Sequence, residues 1–104
     1  MIFGMSQIPS STKALTLDEV LNRLSSRSPW TLLNGAIELR LSGLDFNQVT
    51  ALVQAINQLS QDMNHHPDVS YGYSNLTVRY QTHDVGGLTD LDFACADRIL
   101  TLLG

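Results

Sequence analysis

Asn34-Gly35 stands between Trp30–Leu33 and a segment where Ile37, Leu39 and Leu41 alternate with Glu38 and Arg40. Asn-Gly suits the two positive-φ positions of a type I′ turn, whose twist matches a pair of antiparallel strands, so a two-residue hairpin is predicted here. The return strand has an apolar face and a polar face. Such a strand belongs to an antiparallel sheet that is covered on one side and wet on the other.

Helical signals flank this hairpin. Thr16-Leu17-Asp18-Glu19 reads as a capping box, and Leu17, Val20, Leu21 and Leu24 follow at helical spacing as far as about Ser26, before Ser28-Pro29. Asp45 is placed to cap a longer helix whose stripe runs Phe46, Val49, Leu52, Val53, Ile56, Leu59 and Met63. That stripe stops before His65-His66-Pro67, where proline marks a helix boundary. Val69, Tyr71 and Tyr73 then alternate, Ser74-Asn75 supplies a turn, and Leu76, Val78 and Tyr80 alternate again. Thr89-Asp90-Leu91-Asp92 opens a third helix with Leu91, Cys95, Ile99 and Leu102 on one face. The predicted order is α-β-β-α-β-β-α, an α+β two-layer sandwich with a four-stranded antiparallel sheet and three helices on one face.

A chain of 104 residues, 43% hydrophobic and 15% charged, can bury one core. Residues 1–12 read as a flexible leader and 13–104 as a single domain. Six basic against ten acidic residues, a net charge of −4, argue against a nucleic-acid partner. No apolar run approaches the ~18 residues of a membrane span, and the first residues lack the basic and apolar regions of a secretory signal. No membrane partner is expected, and the cytoplasm is the default location. The single cysteine, Cys95, excludes an internal disulfide and a CxxC pair, and between Ala94 and Ala96 it reads as a buried small side chain.

All three histidines, His65, His66 and His83, fall within nineteen residues. The pair leaves a helix end and His83 leaves a strand end, with a returning hairpin between them, so imidazoles are expected on both walls of one cleft. Three readings stand: ordinary turn histidines, metal ligands, or groups for proton transfer. Adjacent histidines diverge by about 100° on a helix and about 180° on a strand, and no HxH or HExxH spacing is present. The spacing therefore favours proton transfer over a metal, and imidazole titrates nearest neutrality. Asp84, Asp90 and Asp92 are the carboxylates available to orient the His83 ring. Gly86-Gly87 reads as a turn before the third helix rather than a phosphate loop.

Asn64-His65-His66-Pro67-Asp68, Tyr73, Thr82-His83-Asp84, Gly86-Gly87-Leu88 and Asp92 together resemble the pterin-4a-carbinolamine dehydratases. Five residues separate Pro67 from Tyr73, nine separate Tyr73 from His83 and eight separate His83 from Asp92, all spacings that the family pattern permits. The resemblance implies loss of water from 4a-hydroxytetrahydrobiopterin, or a related pterin, to give the quinonoid dihydropterin without a cofactor or metal. It implies a catalytic set of His65, His66, His83 and Asp92, with His65 and His83 as acid and base and Asp92 orienting His83. The substrate-binding set it implies is His66, Pro67, Tyr73 and Gln61. It further implies dimers joined through sheet edges, or tetramers. Gln61 departs from the pattern, where the family carries a charged residue. The alternative is a non-catalytic member that acts as a protein-binding cofactor or assembly factor.

Overall fold

In the computed structural model, which describes residues 13–104, three helices each begin on a reciprocal cap. Thr16 Oγ1 accepts the Glu19 N–H at 3.2 Å while Glu19 Oε1 accepts the Thr16 N–H at 2.8 Å, starting α1 (Leu17–Leu24). Asp45 and Gln48 do the same at 2.8 and 2.9 Å for α2 (Phe46–Met63). Thr89 and Asp92 start α3 (Asp90–Leu103). Each cap satisfies backbone donors that the first turn of a helix leaves open. The expected leader, residues 1–12, lies outside the described residues.

Four strands, β1 (Thr31–Leu33), β2 (Ala36–Leu41), β3 (Asp68–Tyr71) and β4 (Leu76–Tyr80), form one antiparallel sheet in the order β1-β2-β4-β3. The α-β-β-α-β-β-α order and the α+β class agree with the sequence reading. Leu33 pairs with Ala36, so Asn34 and Gly35, at φ of 51° and 79°, make the two-residue turn that was predicted. Ile37 and Leu39 of β2 and Leu76, Val78 and Tyr80 of β4 pack under Ile56, Leu59 and Met63 of α2 and Phe93, Ala96 and Ile99 of α3, all buried. Val20 of α1 joins the same core. Two arginines tie α1 and its exit to α3: Arg23 Nε meets Asp90 at 2.8 Å, and Arg27 grips both carboxylate oxygens of Asp97 at 2.7 and 3.1 Å. No helix among the described residues is long and apolar enough to cross a membrane.

Three local expectations change. Glu38, assigned to the wet face, is only 6% exposed, because Arg40 Nε lies 2.7 Å from one carboxylate oxygen and Arg79 reaches the other. The second hairpin turns over four residues, since Tyr71 pairs with Leu76 and the Gly72 N–H donates to Asn75 O, so Tyr73 lies in the turn rather than the strand. Leu102, expected on the buried face of α3, is 43% exposed near the chain end. Cys95 is buried as expected, and desolvation pushes its thiol up to about 12. A neutral, buried thiol does not attack disulfide reagents. Cys95 should therefore stay unlabelled by a soluble aromatic disulfide at pH 8 in the native protein and react fully in concentrated urea. Rapid labelling of the folded protein would contradict this burial.

Candidate active site

The end of α2 sets the first wall of the site. Asn64 takes a left-handed conformation at φ 50°, and the following His65 N–H donates back to Ser60 O at 3.1 Å, closing the last turn. This reversal turns His65 inward, where its side chain is 12% exposed. The ring stacks on Tyr80 with centroids 5.3 Å apart, and its Nε2 lies 2.5 Å from Asp92 Oδ1. His66 is exposed, and its Nε2–H donates to Gln61 Oε1 at 2.8 Å, one helical turn back.

The end of β4 sets the second wall. Thr82 and Gly87 bridge the base of a short loop through N–H···O bonds of 2.8 and 3.3 Å. Within it, a single 3-10 turn over His83–Val85 ends on Gly86 at φ 64°, a conformation suited to glycine. His83 is exposed on that turn. An open cleft of about 250 Å³ runs between the walls, lined by all three histidines with Asn64, Gln81 and Asp84. Antiparallel β3–β4 pairing returns the chain to its starting end, as the hairpin arithmetic required. His66 also borders a second cleft of about 280 Å³, shared with Gln61 and Pro67.

Asp92 is where the expected geometry changes. It holds His65, not His83, because its place in the first turn of α3 aims the carboxylate into the fold, where it is fully buried. Its second oxygen accepts from Thr82 Oγ1 at 2.7 Å and from the Thr89 N–H at 2.9 Å. A buried carboxylate with that many donors is a satisfied anion. His83 has no carboxylate hydrogen bond among the described residues. Tyr73 is not brought to the histidines within this chain. It is 81% exposed at the turn end of the hairpin and stacks on Phe46, at the start of α2, with centroids 6.2 Å apart. The 18 residues of α2 put about 27 Å between its two ends.

Three residues outside the predicted site set shape it: Tyr80, Thr82 and Thr89. Tyr80 followed the apolar alternation of a strand and carried no other signal. Burial drives its phenol far above its usual range, so it offers His65 a neutral face. Thr89 was recognisable as a helix cap, but the cap's second role, fixing the carboxylate that grips His65, depends on tertiary packing. With Asp92 accepting the Nε2 proton, His65 has Nδ1 left for proton transfer, the arrangement by which a carboxylate fixes an imidazole tautomer and stabilises its cation. Among the described residues no group of three or more His, Cys, Asp or Glu side chains is gathered to hold a metal ion.

Residues 13–102 match the family described as pterin 4 alpha carbinolamine dehydratase. A protein of Sulfurisphaera tokodaii, named "Putative pterin-4-alpha-carbinolamine dehydratase", is 36% identical over 91 residues, 88% of this chain and 98% of that protein. One of the same name from Nitrosospira multiformis is 35% identical over 88 residues, 85% of this chain and 78% of that protein. The chain belongs to this family. A crystal structure of a transcriptional coactivator/pterin dehydratase from Brucella melitensis shares the fold, with a TM-score of 0.84 at 23% identity, over 88% of this chain and 100% of that one. A pterin dehydratase-like protein identified as a RuBisCO assembly factor superposes at a TM-score of 0.60 and 18% identity, over 72% of this chain and 87% of that one.

Replacing Asp92 by Asn turns a buried acceptor into a group whose NH2 must face the Thr89 N–H, the Thr82 hydroxyl or the His65 Nε2–H. The expected cost is about 1.5–3 kcal/mol, the range for hydrogen bonds to a charged group. It should appear as a lower urea midpoint with an unchanged slope. A midpoint equal to wild type would mean that the carboxylate is not gripped as described.

Proposed function

We propose that this member of the family dehydrates a 4a-hydroxytetrahydropterin to the quinonoid dihydropterin, with His65 and His83 moving the protons. The observation that carries this reading is one cleft with an imidazole on each wall, one of them backed by a buried carboxylate. In the proposed reaction the C4a–O bond breaks and N5 loses its proton as the C4a=N5 bond forms. His65 takes the N5 proton on Nδ1, and the adjacent Asp92 stabilises the resulting imidazolium. His83, as the imidazolium, delivers a proton to the departing hydroxyl, which leaves as water. Because His83 is exposed, it can exchange its proton with solvent between turnovers. Atoms balance: one proton enters the leaving group, one leaves N5, and the two histidines re-equilibrate through water.

His66, held by Gln61, is proposed to contact the pterin ring between the two clefts, with Pro67 fixing its backbone. Tyr73 enters this proposal only through a second copy of the chain. β3 is an edge strand whose outer side has no partner among the described residues, which supports association through that edge.

Following quinonoid formation from 4a-hydroxytetrahydropterin tests the reading directly. Wild type should accelerate it well above the solution rate, and His65→Ala and His83→Ala should each lose on the order of 10²–10⁴-fold in kcat, the usual worth of a positioned acid or base. Full activity in either variant would remove that histidine from the mechanism. Absence of any acceleration by wild type at high concentration would favour a binding protein built on the same fold.

A further inference from the structure

The Asp92 carboxylate ends a chain of hydrogen bonds whose direction can be worked out atom by atom. Thr82 Oγ1 lies 2.7 Å from Asp92 Oδ2, and an ionised carboxylate only accepts, so the Thr82 hydroxyl proton points at Asp92. Thr82 has no second proton. In its 3.0 Å contact with Thr89 Oγ1 it must therefore accept, and Thr89 donates. Thr89 Oγ1 in turn accepts the Leu91 N–H, at 3.2 Å, in the first turn of α3. The order is Leu91 N–H to Thr89, Thr89 to Thr82, Thr82 to Asp92, with Asp92 Oδ1 receiving the Nε2–H of His65. Each hydroxyl donates once and accepts once, so neither can rotate without orphaning a partner in a part-buried setting.

We propose that Thr82 is a positioning residue for both walls of the site, holding the Asp92–His65 pair through its hydroxyl and the His83 loop through its backbone. The backbone half is visible in the Thr82–Gly87 bridge, which closes the loop immediately around His83. One residue thus links the base of the His83 loop to the carboxylate that fixes the His65 tautomer. Removing the hydroxyl alone leaves the loop closed but takes one of two donors from Asp92 Oδ2. The carboxylate is then freer to turn, and its charge is less dispersed toward the threonines. This inference rests on the proposed dehydration for its catalytic meaning, while its structural content can be read without substrate.

Thr82→Val keeps the side-chain shape and removes the hydroxyl; Thr82→Ser restores a hydroxyl on a smaller side chain. Imidazole nitrogen NMR follows the His65 Nε2–H resonance and the His65 titration. The titratable groups around that ring are Asp92 from α3, Tyr80 from β4, the adjacent His66, and His83 and Asp84 across the cleft. In Thr82→Val the resonance should move and the His65 midpoint should rise, because Asp92 turns more of its charge on the imidazolium. Thr82→Ser should bring both back toward wild type. With a 4a-hydroxytetrahydropterin, kcat should fall at least about tenfold in Thr82→Val, with little change in KM, and recover in Thr82→Ser. An unmoved resonance and midpoint in a folded Thr82→Val overturn the inference, as does an unchanged kcat where wild type turns over. If Thr82→Val does not fold, Thr82→Ala carries the same expectations. Should wild type prove inactive, the proposed reaction fails while the NMR comparison still decides the role of Thr82.

Discussion

A fully buried carboxylate is costly unless every oxygen finds a donor, and Asp92 is such a group. Its donors come from three places in the chain: His65 just past α2, Thr82 at the exit of β4, and the Thr89 backbone at the start of α3. Satisfying one anion therefore fixes the meeting point of two helix ends and a strand end. The cleft is a consequence of that meeting. Its walls are the segments that run on from these anchor points, and its histidines are the residues those segments present.

Stacking completes what the hydrogen bonds begin. The His65 ring lies against Tyr80, whose own burial is total and whose neighbours in the sheet are the fully buried Ile37 and, two residues along β4, Val78. Tyr80 thus belongs to the core on one side and to the site on the other. Among the described residues, neither its hydroxyl nor Trp30 Nε1 close by in the same core makes a direct hydrogen bond. These buried polar atoms beside the site contrast with Asp92, whose two oxygens take three donors between them. Rigidity at the site comes from the satisfied carboxylate and from the ring stack together.

What could be read from the sequence divides along the same line. Helix caps, the Asn34-Gly35 turn and the apolar stripes are local, so the order of elements and the α+β class were legible from residue spacing. The return of His83 to the His65-His66 end was also legible, since it needs only an antiparallel hairpin. Pairing was not. Whether Asp92 meets His65 or His83 depends on how α3 is rotated against the end of α2, which spacing does not encode. Glu38 shows the same limit on the opposite face of the sheet: alternation marks it as solvent-facing, yet Arg40 and Arg79 lie over it and bury it. Tyr73 was drawn into the site by the family resemblance, and within one chain the four-residue turn carries it to the far end of the hairpin.

Gln61 gains a defined role from this geometry. Its amide oxygen accepts the His66 Nε2–H from one turn earlier on α2, so the ring is oriented by a neutral group. A carboxylate at that position would orient the ring equally well and would also stabilise its protonated form; an amide does only the first. The two adjacent histidines are therefore held by opposite means. His65 is largely buried against Tyr80 and backed by an anion, whereas His66 is exposed and backed by an amide. Neighbours in sequence, they fit the different parts proposed for them: one to carry a proton beside the Asp92 carboxylate, the other to present a hydrogen-bonding edge where the two clefts meet.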